Sequence, residues 1–105
     1  MSEGVTVTVT WTIKPDRAEE FVESLRGMFT ETRHHAGFRN IRLLRGDTDL
    51  NSFVLIEEWA EVQNFHDYAQ FRVGTGDTDA LLAMTASYPH LAIWLHPPLA
   101  EAVKV

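Results

Sequence analysis

The 105-residue sequence contains no cysteine. That absence excludes disulfides, thiolate metal sites, iron–sulfur clusters and cysteine nucleophiles together, and it leaves the redox compartment open. Low-complexity runs are missing, and no apolar stretch approaches the length that spans a bilayer. Positive charge is scarce: nine Lys and Arg stand against fifteen Asp and Glu, a formal net charge of -6 that repels phosphate backbones and anionic lipid alike. Neither nucleic acid nor a membrane is an expected partner. The opening MSEGVTVTVTW lacks the charged start and apolar block of a secretory signal, so a cytoplasmic address is expected. What is present, 45% hydrophobic and 23% charged residues, is the composition of one folded domain, expected over residues 1–105.

Several ligand signatures are also absent. Gly74-Thr75-Gly76 resembles part of a phosphate loop, but position 79 is Asp79 rather than glycine and no GK[ST] follows. Gly-Asp-Thr-Asp occurs at 46–49 and 76–79 without calcium-loop spacing, and turn chemistry explains both copies. No HxxxH, HxH or HExxH pattern occurs among the five histidines. His34 and His35 would diverge by about 100° around a helix, and His90 and His96 would lie roughly 20 Å apart on a strand. The expectation is of no metal and no dinucleotide or flavin cofactor held within one subunit.

The periodicities define the elements. Val5, Val7, Val9, Trp11 and Ile13 alternate with four threonines, a strand over Val5–Ile13 with one apolar face. Pro15 suits a first helical turn, and Ala18, Phe21, Val22, Leu25, Met28, Phe29 and Thr32 recur at helical spacing until Gly37 stops the helix. Phe38–Arg45 and Ser52–Trp59 read as a hairpin across a turn-rich stretch. Val62, Phe65, Tyr68, Ala69 and Arg72 share a second helical face, which Gly74 and Gly76 interrupt. Asp77 or Thr78 would cap a third helix with Leu81, Leu82, Met84 and Thr85 as its stripe before Pro89. His90–His96 reads as the last strand, closed by Pro97-Pro98. The resulting β-α-β-β-α-α-β order is that of an α+β, ferredoxin-like fold, an antiparallel sheet with helices on one face.

Two further expectations follow from alternation. Val54, Ile56, Leu91 and Ile93 are assigned to the face away from the helices, where each would forgo roughly 1.5–3 kcal/mol of burial if left in water. A second copy of the chain covering that face, a homodimer, is expected, against the alternative that the chain's own tail covers it. Phe53, Leu55, Glu57 and Trp59 share the other face with Val7, Val9 and Trp11. A carboxylate among apolar neighbours has a raised pKa, which makes Glu57 a candidate general base; the alternative is a strand-end glutamate paired with Arg42, Arg72 or solvent.

Strand Val5–Ile13, Lys14-Pro15, the long helix ending at Gly37, the hairpin, and Phe53-Val54-Leu55-Ile56-Glu57-Glu58-Trp59 followed six residues later by Phe65 together resemble the antibiotic biosynthesis monooxygenase domain family of the dimeric α/β-barrel superfamily. The resemblance spans nearly the whole chain and rests on the ordered set of features. It implies a homodimer whose two sheets form a dimeric α/β barrel, a ligand cavity between sheet and helices, and small aromatic substrates such as quinols, phenols or polyketides. Some members are oxygenases without metal, flavin or haem. Where anthrone-oxidising members carry a tryptophan, this chain has Trp59; their asparagine, tyrosine and arginine positions hold Leu55, Phe65 and, roughly, Asp79. The strand-one asparagine of haem-degrading relatives is Val9, and residues 69–89 hold no histidine. Tyr68 occupies a place, nine residues past Trp59, where other relatives carry histidine or tryptophan.

The resemblance thus implies a cofactor-independent monooxygenase. Glu57, His35 or His96 would act as base, Tyr68 and Arg72 would orient the substrate, and Trp59, Trp11, Phe65 and Trp94 would form walls beside Leu55 and Val9. Two alternatives stand beside it: a non-catalytic small-molecule-binding barrel, and a polyketide-type isomerase or cyclase.

Overall fold

In a computed structural model that describes residues 4–96, four strands form one antiparallel sheet in the order β2-β3-β1-β4. The strands are β1 (Val5–Ile13), β2 (Phe38–Arg45), β3 (Ser52–Trp59) and β4 (Thr85–Leu95); the helices are α1 (Ala18–Thr32), α2 (Val62–Thr75) and α3 (Asp77–Leu82). This is the expected α+β, ferredoxin-like arrangement. The alternation of β1 is realised in full: Val5, Val7, Val9, Trp11 and Ile13 are buried. They meet Phe53, Leu55 and Trp59 of β3 and Phe21 and Leu25 of α1 in one core. No helix among the described residues is long and apolar enough to cross a membrane.

Local chemistry sets the element ends. Pro15 opens a short 3-10 turn, Pro15–Arg17, rather than α1 itself, because its fixed φ suits that tighter first turn. Gly37 takes φ 81°, and a Cβ there would fall 2.1 Å from Asn64, so only glycine lets the end of α1 approach the start of α2. At that crossing the Gly37 carbonyl accepts the Ala60 N–H at 2.8 Å, and Asn64 Oδ1 accepts the Glu61 N–H at 2.9 Å. Gly74 lies inside α2; it is Gly76, at φ 86°, that ends the helix, since the left-handed conformation closes an α-helix. Gly76 also precedes α3 directly, with no side-chain cap from Asp77 or Thr78.

The last strand departs most from expectation. β4 begins at Thr85, so Thr85 belongs to the strand and Pro89 lies within it instead of ending a helix. Thr10 pairs with His90 but Thr12 pairs with Ser87, which leaves Tyr88 and Pro89 together opposite Trp11. A bulge on an edge strand tolerates proline because no regular ladder hydrogen bond is required there. The register also corrects the facing of two residues: Leu91 pairs with Val9 and Ile93 with Val7, so both lie on the helix side of the sheet. The other face carries Val54, Ile56, Ala92 and Trp94 with the β1 threonines. Pro97-Pro98 lie outside the described residues.

Candidate functional site

Between the inner face of the sheet and the three helices lies a cavity of about 240 Å³. Seven sequence-predicted site residues border it: Val9 and Trp11 from β1, Leu55 and Glu57 from β3, and Phe65, Tyr68 and Arg72 from α2. They converge because β1 and β3 are the two central strands, paired in register with Val9 opposite Leu55 and Val7 opposite Glu57. Helical spacing in α2 then places Phe65, Tyr68, Ala69 and Arg72 on the face above them. The remaining wall is almost wholly apolar, as small-molecule sites usually are.

Glu57 is 4% exposed and sits in the middle of the sheet, flanked by Val7 on one side and Ile41 on the other. Its Oε1 accepts the Trp59 indole N–H at 2.9 Å. No hydrogen bond reaches Oε2 from any described residue, so that oxygen remains for a guest in the cavity. Burial pushes the carboxyl up to about 7, a rise that the Trp59 hydrogen bond and the positive charge of Arg72 limit. The expected alternatives for pairing are not realised: Arg42 lies on the opposite face, opposite Ile56, and Arg72 makes no hydrogen bond to Glu57.

Arg72 is instead fully engaged by the helices. Nε donates to Tyr68 Oη at 2.9 Å, Nη1 to Glu31 Oε1 and Asp77 Oδ2 at 2.8 Å each, and Nη2 to the Met28 carbonyl and Thr32 Oγ1 at 3.0 and 3.1 Å. A guanidinium has five N–H groups, and these five acceptors use them all. Burial opposes the Arg72 charge, but its hydrogen bond to Tyr68, the electrostatic attraction of that oxygen, and its hydrogen bonds to Asp77 and Glu31 together outweigh burial and hold its pKa above the ordinary value. Thr32 Oγ1 donates to Met28 O at 2.9 Å, which makes Tyr68 the donor in the 2.8 Å Tyr68–Thr32 bond. Burial raises the Tyr68 pKa despite those two partners. Tyr68 and Arg72 therefore shape the cavity wall, with their polar hydrogens directed to α1 and α3 rather than to a guest.

The other predicted site residues lie elsewhere. Trp59 is fully buried behind the cavity, its ring centroid 5.0 Å from Tyr68 and 5.7 Å from Phe38. It positions Glu57 without lining the cavity. His35 packs edge-on to Tyr68 at 5.0 Å and against Phe71 at 4.6 Å, outside the lining. Trp94 and His96 are on the opposite face, bonded to Thr8 Oγ1 at 2.9 Å and Thr6 Oγ1 at 2.6 Å. Alternation carries them there, since Trp94 pairs with Thr6 while Ile93 pairs with Val7.

Sequence reasoning missed Thr32, which it placed among apolar residues; a hydroxyl on a buried helical stripe was the available signal. Tyr88 and Pro89 were missed as cavity residues because the strand was expected to begin only at His90, with Pro89 as the stop of the preceding helix. Among the described residues no three His, Asp or Glu side chains gather to hold a metal.

Comparisons with known proteins agree with the fold. Structures of similar fold include a conserved protein from Methanosarcina mazei Go1, with TM-score 0.81, 14% identity, and coverage of 88% of this chain and 91% of that one. Rv0793 from Mycobacterium tuberculosis gives TM-score 0.80 at 19% identity, over 96% of this chain and 100% of its own. A variant of SnoaB, a cofactor-independent oxygenase from Streptomyces nogalater, gives TM-score 0.79 at 21% identity, over 95% and 100%. A search of the curated proteins found no match. The sequence profile of the Antibiotic biosynthesis monooxygenase family matches residues 4–83, a span that includes both central strands and all three helices. The chain belongs to the antibiotic biosynthesis monooxygenase family.

Proposed function

We propose that the cavity binds a small electron-rich aromatic, a quinol, phenol or polyketide-like molecule, and that Glu57 initiates its oxygenation without a cofactor. The observation that carries this reading is the Glu57 carboxyl: it is buried on an apolar wall, has one oxygen without a partner, and titrates at about 7. A base with that pKa takes protons efficiently near neutral pH. Family membership and the fold shared with SnoaB support the reaction class.

The chemistry balances on substrate and dioxygen alone. For a polyketide-like substrate with an activated methylene, Glu57 removes a C–H proton, and the resulting carbanion gives one electron to O2. Carbon and superoxide radicals combine, and Glu57 returns the proton to form a hydroperoxide. Loss of the second C–H proton to Glu57 with cleavage of the O–O bond leaves a C=O; the hydroxide released takes up that proton as water. The carbon is oxidised, one oxygen atom enters the product and the other leaves as H2O. An apolar chamber protects the anion and the hydroperoxide from water.

Oxygen uptake with a quinol and anthrone panel tests the proposal. Uptake above the protein-free rate, unaffected by chelators and yielding a product heavier by one oxygen and lighter by two hydrogens for a methylene substrate, is the expected result. Binding without uptake points to a non-catalytic binder, and conversion with unchanged mass points to an isomerase or cyclase.

The same reading includes a homodimer formed across the outer face of the sheet. Val54 and Ile56 are half-buried there, and Trp94 is 58% exposed. With Leu91 and Ile93 turned to the helix side, that outer face is less apolar than alternation alone predicted.

A further inference from the structure

Among the side-chain nitrogens and oxygens of the described residues that are themselves closed off from solvent, Nε1 of Trp11 alone has no hydrogen-bond partner. Such orphaned donors are rare in folded proteins, and an acceptor supplied by a bound guest is one way to satisfy them. Trp11 is 7% exposed and borders the cavity. Its ring neighbour Phe21, at 5.3 Å between centroids, offers only carbon. Across the sheet the bulge sets Tyr88 and Pro89 against Trp11, and both border the same cavity. Tyr68 and Arg72 have given their polar hydrogens to the helix network, whereas the Trp11 N–H is uncommitted.

We propose that Trp11 is a specificity-determining ligand contact, its indole N–H donating to a carbonyl or phenolate oxygen of an aromatic guest. This rests on the reading of the cavity as a substrate site and assigns that substrate a direction. Trp11 faces Phe53 and Val7 faces Glu57, so Trp11 and Glu57 are four strand residues apart, ~13 Å along β1. The guest's acceptor oxygen lies at the Trp11 end and its acidic hydrogen at the Glu57 end. A guest with no acceptor leaves the indole N–H unpaired and binds more weakly.

The test compares 1-tetralone with tetralin, two bicyclic probes that differ by one carbonyl oxygen and are not expected to turn over. Equilibrium dialysis at pH 8.5, where the Glu57 carboxyl is ionised and donates nothing, should show 1-tetralone binding about tenfold more tightly than tetralin. Trp11→Phe should abolish that preference, bringing the affinities for the two probes to within about twofold of each other. A preference that survives in Trp11→Phe overturns the proposal, as does an equal loss of affinity for both probes. An independent readout on the unaltered protein is the Trp11 indole N–H resonance in 15N-resolved spectra. It should move downfield with 1-tetralone and not with tetralin; equal movement with both counts against the hydrogen bond. If the unaltered protein binds neither probe, the cavity reading itself fails, and a retained cavity with no tetralone preference fails the Trp11 assignment alone.

Discussion

The indole N–H of Trp59 donates to Oε1 of Glu57 at 2.9 Å, two residues away on the same face of β3. Strand alternation puts the two side chains side by side, and the bond anchors the carboxyl without neutralising it. Burial raises the carboxyl pKa and this donor restrains the rise, so the pair sets the pH at which a base is available.

Glu57→Gln removes that base while keeping the size and an acceptor for Trp59. Turnover of a confirmed substrate should fall by about 10²–10⁴-fold. In the unaltered protein kcat/KM should rise with pH through about 7 and then level, and Glu57→Gln should flatten that limb. Full activity in Glu57→Gln would remove Glu57 from the mechanism.

Stability should respond in the opposite sense. The folded carboxyl titrates at about 7 against an ordinary 4.5, so between those values the native state keeps a proton that the unfolded chain has released. Stability therefore falls as pH rises from 4.5 to 7, by up to roughly 3 kcal/mol, and the full loss remains above that window. Thermal melts of Glu57→Gln should match the unaltered protein near pH 4 and exceed it near pH 8.

Trp59→Phe keeps an aromatic core residue and deletes the donor to Glu57. The Glu57 pKa should climb above its present value and the alkaline-rising limb of the pH–rate profile should move to higher pH. A limb that does not move would show that the indole N–H has no hold on the carboxyl.

Arg72→Lys tests the five-acceptor clamp that joins α1, α2 and α3. A single ammonium cannot reach Tyr68, Glu31, Asp77, Thr32 and the Met28 carbonyl together, so the variant should lose about 1–3 kcal/mol in denaturant melts. Glu31 and Asp77 are partly exposed, which keeps the loss below that of breaking a wholly buried ion pair.

Ala69→Leu puts a larger side chain on the α2 wall of the cavity. Melting temperature should hold or rise, and 1-tetralone binding should weaken by tenfold or more in dialysis. Retained affinity would place the guest elsewhere.

For the dimer, Ile56→Lys places a charge on the outer face of β3. Light scattering should report a dimer for the unaltered protein at micromolar concentration and a monomer for the variant.

The two central strands were legible because every second residue of β1 and β3 faces one core, so period-two alternation carried Glu57, Leu55, Val9 and Trp11 to the right face. The edge strand was harder. Pro89 carries the same local signal whether it ends a helix or occupies a bulge, and only the pairing of Thr10 with His90 and Thr12 with Ser87 distinguishes them. Trp94 and His96 were placed by residue type, whereas strand parity sends them outward. The Arg72 clamp was out of reach because its partner Glu31 is 41 residues away and its strength depends on three helices meeting.

The irregularity at Tyr88 and Pro89 also limits how the sheet can extend. β4 is an outermost strand of eleven residues, long enough to recruit a like strand from another molecule. A register irregularity and a missing amide hydrogen midway divide it into two short halves, neither of which templates ribbon growth well. The proline that helps shape the chamber thereby also protects the protein against edge-to-edge aggregation.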